Sequence, residues 1–298
     1  MYRPLEHLPP ALEQALSDLR ARLADEAAVV VAYSGGVDSA LVAAIAAEQL
    51  GSRALAVTGV SPALAPHLRE EARLQATWMG IRQREIPTAE LDDPDYSSNP
   101  ADRCYACKRE LHGRLARLLQ QATAGGLSPG DAQRLAWPEG ARVVDGVNHD
   151  DLADHRPGIQ AAREHGVSSP LAELGIGKEG VRRISRALGF PWWDKPAQPC
   201  LASRFPYGEP ISGDRLRRVA KAEEWLRLRG FAELRVRSQG EAARIELPLE
   251  QLPALLADDL RERLVAAFRE LGFTAVSLDL EGLVSGKLNR DLAIEQPG

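Results

Sequence analysis

One hexapeptide, Ser34-Gly35-Gly36-Val37-Asp38-Ser39, constrains this chain more than any other feature. Ala27 to Tyr33 is a β-branched apolar run that ends at the glycines, and Leu41 to Leu50 follows with Ala-rich helical composition. The segment therefore reads as buried strand, tight loop and helix. Such a junction gathers backbone N–H groups and the positive end of a helix dipole at one point, which suits a phosphate. The glycines permit close approach, Ser34 and Ser39 add hydroxyl donors, and Asp38 suits Mg²⁺ or ordering of the loop better than contact with phosphate. The plainer alternative is a glycine turn capped by Asp or Ser. The loop is neither a Walker A sequence, lacking the Gly-Lys-Ser/Thr ending, nor a dinucleotide GxGxxG.

The same alternation continues downstream. Ala54 to Val60 repeats the buried-strand pattern, Leu64 to Gly80 reads as a helix, and Ile81 to Ile86 as a strand closed by Pro87. Leu8 to Leu23 places leucines at spacings of three and four, the mark of an amphipathic helix. Strands alternating with helices predict an α/β fold, a doubly wound parallel sheet. Thr88 to Pro100 reads as a loop, 103 to 120 as a helix, Ala122 to Gly140 as a surface insertion, Ala141 to Asp145 as a strand and Lys178 to Leu188 as a helix. A Pro- and Trp-rich loop spans Gly189 to Gly213. From there a helix to Leu228, strands at 233–237 and 242–247, a helix at 251–271 and a strand at 274–280 predict a smaller α+β domain. The expected division is 1–212 and 213–298.

With 298 residues, 44% of them hydrophobic, two cores are affordable in surface-to-volume terms. A formal charge of −5 supplies no basic excess for an extended nucleic-acid surface. No run approaches the roughly eighteen apolar residues of a membrane span, and no opening signal segment is evident, so the chain reads as cytoplasmic. Its three cysteines, Cys104, Cys107 and Cys200, cannot all pair within one chain. Reactive or metal-bound thiols are the better expectation.

Cys104 and Cys107 stand in Asn99-Pro100-Ala101-Asp102-Arg103-Cys104-Tyr105-Ala106-Cys107-Lys108, and Cys200 in Pro199-Cys200-Leu201-Ala202-Ser203-Arg204. A helix N-terminus or a neighbouring cation lowers a thiol pKa, so all three qualify as nucleophiles or ligands. A structural zinc site with His112 or His149 as fourth ligand, or a redox disulfide with Cys200 inert, fits the same spacing.

The hexapeptide resembles the PP-loop of the ATP pyrophosphatases. Together with the two cysteine segments, with Asp145-Gly146-Val147-Asn148-x-Asp150-Asp151-x-x-Asp154-x-Arg156-Pro157-Gly158, and with Phe205-Pro206-Tyr207-Gly208, it resembles the LarE sulfur transferases over nearly the whole chain. That resemblance implies an ATP- and Mg²⁺-dependent enzyme that adenylates the carboxylates of pyridinium-3,5-dicarboxylate mononucleotide and thiolates them for the nickel-pincer cofactor of lactate racemase. It implies two sulfur sources. With three cysteines, Cys104, Cys107 and Cys200 hold a 4Fe-4S cluster whose open iron carries sulfide from a donor the sequence does not name; with one, Cys200 is sacrificed. A homo-oligomer, a hexamer built from dimers, is implied as well. The competing readings are a tRNA thiolase, an amidating synthetase of the NAD or GMP type, and a non-catalytic iron–sulfur protein whose loop only binds nucleotide.

Binding groups follow. Val57 to Ser61, and Val60 in particular, end a strand at the sheet edge where nucleotides sit, so this backbone is a candidate adenine contact. Lys178 opens a helix and looks like the lysine that related pyrophosphatases direct at phosphates, with a solvated surface lysine as the competing view. Asp145, Asn148, Asp150, Asp151 and Asp154 follow a strand end and suit Mg²⁺, substrate or turn capping. Arg235 and Arg237 alternate on one strand, with Arg244 on the next, a spacing that can aim both at one phosphate. Resemblance supports Arg235 and Arg237 there, with Arg204 joining them and Glu223 or Glu224 as acid or base. Trp192 and Trp193 read as loop packing, with pyridinium stacking as the other option.

Overall fold

The computed structural model describes residue 2 and residues 4–123, 140–153, 157–284 and 286–290. The expected insertion at 122–140 falls almost wholly outside the described residues, as do Asp154 and Arg156. The chain divides into two compact units: the first takes 1–61, 66–90 and 104–198, the second 62–65, 91–103 and 199–298.

In the first unit, α1 (Pro10–Ala24), β1 (Val29–Ala32), α2 (Val37–Leu50), β2 (Ala54–Val60), α3 (Pro66–Met79), β3 (Arg82–Pro87), α4 (Arg103–Thr123), β4 (Arg142–Val144), α5 (Pro157–Glu164) and α6 (Lys178–Ala187) follow in order. The strands form one parallel sheet ordered β3-β2-β1-β4. Because side chains alternate along a strand, each strand feeds two cores. Val29, Val31, Ala54 and Ala56 join Leu16, Leu19, Leu23, Leu41, Ile45 and Ile184 on one face, under α1, α2 and α6. Val30, Ala32, Leu55 and Val57 meet Leu111 and Leu115 of α4 on the other. Helices thus cover both faces, the doubly wound arrangement the sequence predicts. Trp192 packs edge-on to Trp78 and tilted against Phe190, which accords with loop packing.

Two elements differ from the sequence reading, the first in this unit and the second in the stretch 91–103 that belongs to the other. The second helix begins at Val37 rather than near Leu41, so Asp38 and Ser39 lie in its first turn. The loop at 88–100 contains a helical turn, Pro94–Ser97, because Pro94 presets its first position and Asp93 Oδ1 accepts from the Asp95 amide at 3.0 Å.

In the second unit, α7 (Gly213–Arg227) precedes β5 (Arg235–Gln239), β6 (Ala242–Glu246), α8 (Asp258–Glu270) and β7 (Ala275–Leu278). β5 pairs antiparallel with β6, and β6 parallel with β7. Phe268 of α8 packs between Trp225 and Phe273. The single helix expected over 251–271 is two: Leu252–Leu255 and α8, separated where Ala257 takes extended backbone (φ −55°, ψ 135°) and caps the second. β5 starts at Arg235, two residues later than expected.

Candidate functional site

The hexapeptide forms a self-bonded loop at the start of α2. Ser39 Oγ donates to Gly36 O at 3.1 Å, lies 3.1 Å from Ser34 Oγ and accepts from the Ser34 amide at 3.3 Å. Gly35 adopts φ +75°, and a Cβ there would lie 3.1 Å from Ala72 Cβ of α3. The Tyr33 hydroxyl, bonded to Gln75 Oε1 at 2.7 Å, ties the same helix to the end of β1. A small residue at 72 is what lets α3 back the loop.

The strand end after β4 crosses the start of α2 from the other side. A Cβ on Gly146 would stand 2.5 Å from the Ser39 nitrogen, so only glycine fits. Asn148, fully buried, then donates from Nδ2 to Asp38 Oδ1 at 3.1 Å. Burial pushes the Asp38 carboxyl above its usual range, while the Asn148 amide pulls it down. Asp150 Oδ2 accepts the Lys178 amide at 2.7 Å, standing at the start of α6, and Asp151 Oδ1 meets Lys178 Nζ at 3.2 Å. Asp145 accepts the Val147 amide at 3.0 Å and is likewise held above its usual range by burial. Of this acidic group, Asp145 and Asp150 therefore fasten turns, and Asp151 sets Lys178.

A cleft of about 190 Å³ opens on this loop, lined by Ser34 to Asp38, Leu68, Lys178, Arg182, Lys195 and Pro196 to Gln198. Three cations thus line a cleft with a loop of backbone N–H groups at a helix start, an arrangement whose charge suits a polyphosphate. The sequence reading reached the loop and Lys178 but not Arg182 or Lys195. Arg182 stands one turn past Lys178 on α6, a spacing that could have found it; Lys195 sits in irregular chain with no period to betray it. Val60 ends β2 with its carbonyl accepting the Thr88 amide at 3.1 Å, and it does not line this cleft.

Cys104 and Cys107 lie one turn apart at the start of α4, exposed and half-buried respectively. Gly158 passes against this turn: a Cβ there would meet Lys108 Cγ at 2.9 Å and the Cys104 carbonyl at 3.4 Å. The i, i+3 pair suits two ligands of one cluster, but among the described residues no three His, Cys, Asp or Glu side chains are arranged to hold a metal ion. His112, further along α4, is 1% exposed with both ring nitrogens lacking hydrogen-bond partners.

Cys200 belongs to the second unit, exposed just before the helical turn Leu201–Arg204. The Leu201 amide, bonded to Ala63 O at 2.9 Å, anchors it. Arg204 forks onto Glu223 at 2.8 and 3.2 Å, and Glu223 Oε1 also accepts the Val236 amide. Arg237 forks onto Glu246 at 3.0 and 2.9 Å and donates to Ser203 O at 2.6 Å. Arg235 has no ion-pair partner among the described residues; burial, with Arg237 and Arg204 adding to it, lowers its pKa. Arg204 and Arg237 thus take the closest places on the two carboxylates, with Arg227 4.0 Å from Glu223 and Arg244 3.6 Å from Glu246, and Arg235 is, among the described residues, the guanidinium of the group without such a pairing.

No protein-family model matches the chain. It is 51% identical over 282 residues to an uncharacterized protein of Synechocystis sp., covering 94% of this chain and 99% of that one. It is 34% identical over 279 residues to the pyridinium-3,5-bisthiocarboxylic acid mononucleotide synthase of Lactiplantibacillus plantarum, covering 93% and 95%. It is 26% identical to the glutamine-hydrolyzing GMP synthase of Corynebacterium ammoniagenes, covering 84% of this chain but 47% of that protein.

Proposed function

The chain belongs to the LarE family, that of the pyridinium-3,5-bisthiocarboxylic acid mononucleotide synthase, and on that footing we propose that it is an ATP-dependent sulfur transferase acting on a pyridinium dicarboxylate mononucleotide. The observation that carries the reading is identity to the synthase across nearly the full length of both chains.

The reaction divides into two displacements. A substrate carboxylate oxygen attacks the α-phosphorus of ATP, the α–β bridging P–O bond breaks, and pyrophosphate leaves. A sulfur nucleophile then attacks the acyl carbon and the C–O bond to AMP breaks. Sulfide leaves a thiocarboxylate directly, whereas the Cys200 thiolate leaves a thioester that gives the thiocarboxylate when the Cys200 Cα proton is removed and its Cβ–S bond breaks, the residue becoming dehydroalanine. In the first step the loop Ser34-Gly35-Gly36-Val37-Asp38-Ser39 holds phosphates, Lys178 offsets their charge, and Asp38, oriented by Asn148, is the carboxylate available to Mg²⁺. Val60 remains the candidate for the adenine contact, at the carboxyl end of β2.

The substrate phosphate is assigned to Arg235, framed by Arg237 and Arg204; their carboxylate partners are saturated, so Arg235 is the guanidinium left to take a dianion. Glu223, held by Arg204 and a backbone amide, acts through that arginine rather than as a free acid or base. The presence of all three cysteines, as in the cluster-type members the resemblance points to, favours Cys104, Cys107 and Cys200 as the residues that would hold a 4Fe-4S cluster as sulfide carrier, although the described residues show no gathered metal site. Such a cluster would supply exchangeable sulfur at an iron without a protein ligand, and sacrifice of Cys200 is the other source. The amidating reading favoured by the GMP synthase similarity gives these cysteines no role.

The test is pyrophosphate release from MgATP that depends on the pyridinium substrate, followed by intact mass of the protein. Release without substrate dependence overturns the reading. An unchanged mass after several turnovers supports the cluster; loss of about one H₂S per chain at Cys200 supports sacrifice.

A further inference from the structure

Lys195 is the cation of the cleft that no motif reading reaches. It lines the same cleft as Ser34 to Asp38, as do Pro196, Ala197 and Gln198 that follow it in the chain. Its ammonium is bound to the Glu71 carboxylate of α3. The two partners differ in exposure: the Lys195 side chain is 14% exposed and that of Glu71 42%. Glu71 sits beside Ala72, the residue packed against Gly35, and one turn past Leu68, which lines the cleft. An ion pair with one partner this open to water contributes little, whereas an ammonium facing a multiply charged phosphate chain in a cleft gains charge-assisted hydrogen bonds.

We propose that Glu71 and the bound nucleotide compete for Lys195: the lysine leaves the carboxylate for the polyphosphate when ATP binds, and draws the segment 195–198 onto the nucleotide. This rests on the ATP-binding reading above and adds a polyphosphate-binding residue to it. Glu71 then holds the lysine in place between ligands and opposes binding by the strength of the pair. A purely structural pair behaves otherwise, since removing either member of it weakens the same wall in the same direction.

Calorimetry of the full chain with α,β-methylene ATP and Mg²⁺ separates the two. Lys195→Gln is expected to weaken binding by more than about fivefold, and Lys195→Arg, which keeps the charge, to recover most of it. Glu71→Gln is expected to bind at least as tightly as the unmodified chain, because the competitor is gone. The proposal is overturned if Lys195→Gln binds within about twofold of the unmodified chain, or if Glu71→Gln weakens binding as Lys195→Gln does. An unmodified chain that binds no analogue, while folded by thermal melt, overturns the nucleotide reading itself.

Discussion

The Asn148 side-chain amide donates to Asp38 Oδ1 across 3.1 Å, joining the turn after β4 to the first turn of α2 although 110 residues separate them. That bond sets the orientation of the one carboxylate inside the hexapeptide loop. Asn148→Ala leaves Asp38 half-buried without its donor, and should cost about 1–2 kcal/mol of stability and weaken MgATP more than metal-free nucleotide. Denaturant unfolding and calorimetry with and without Mg²⁺ measure both effects; equal loss with and without the metal would remove Asp38 from the metal role.

Gly146→Ala tests the crossing over Ser39. A Cβ 2.5 Å from a backbone nitrogen cannot be absorbed by a flexible side chain, so the strand end or α2 must shift. A destabilisation of about 1–3 kcal/mol is expected, with nucleotide binding lost beyond what that destabilisation explains. A variant that binds nucleotide normally would show the crossing to be incidental.

The two arginines of β5 should respond oppositely. Arg237 and Glu246 are 5% and 0% exposed, so Arg237→Met leaves the buried carboxylate only the more distant Arg244, at 3.6 Å, and should cost about 3 kcal/mol. Arg235→Met removes a charge without a close ion pair, and should leave the melting temperature nearly unchanged while weakening the mononucleotide substrate at least tenfold, roughly the worth of a charge-assisted pair. Thermal melts and substrate titration distinguish them.

His112 gives a pH signature. Burial, with Lys108 and His165 adding to it, lowers its pKa from 6.5 to about 3. The unfolded chain therefore binds a proton that the folded chain refuses between those values. This contribution to stability is fully present above the unfolded pKa and is lost as pH falls toward the folded one, by at most about 1.4 kcal/mol per pH unit. His112→Leu should flatten the stability profile in that window; an unchanged slope would show that the ring is not buried in solution.

Iron content tests the thiols. Anaerobically reconstituted chain should bind about four irons, and Cys104→Ala, Cys107→Ala and Cys200→Ala should each reduce this. Retention of full iron by Cys200→Ala would leave that residue free for sacrifice.

The sequence by itself determined the parallel sheet, because β-branched runs alternating with helical stretches have few other ways to bury both faces. It also determined the loop, because glycines and hydroxyls between strand and helix are a local signal, and it placed Lys178 at a helix start. It misjudged the helix over 251–271, since a periodic pattern does not reveal one residue turning extended at Ala257. Only the tertiary structure decided which charges are spoken for. Arg235 and Arg237 look alike along a strand, yet one is forked onto Glu246 and the other is not. Asn148 finds Asp38, Gly146 crosses Ser39, and Lys195 reaches Glu71, each through chain folding back from far away. Periodicity records which side of an element a residue faces; what it meets there depends on elements distant in sequence, and no local pattern carries that information.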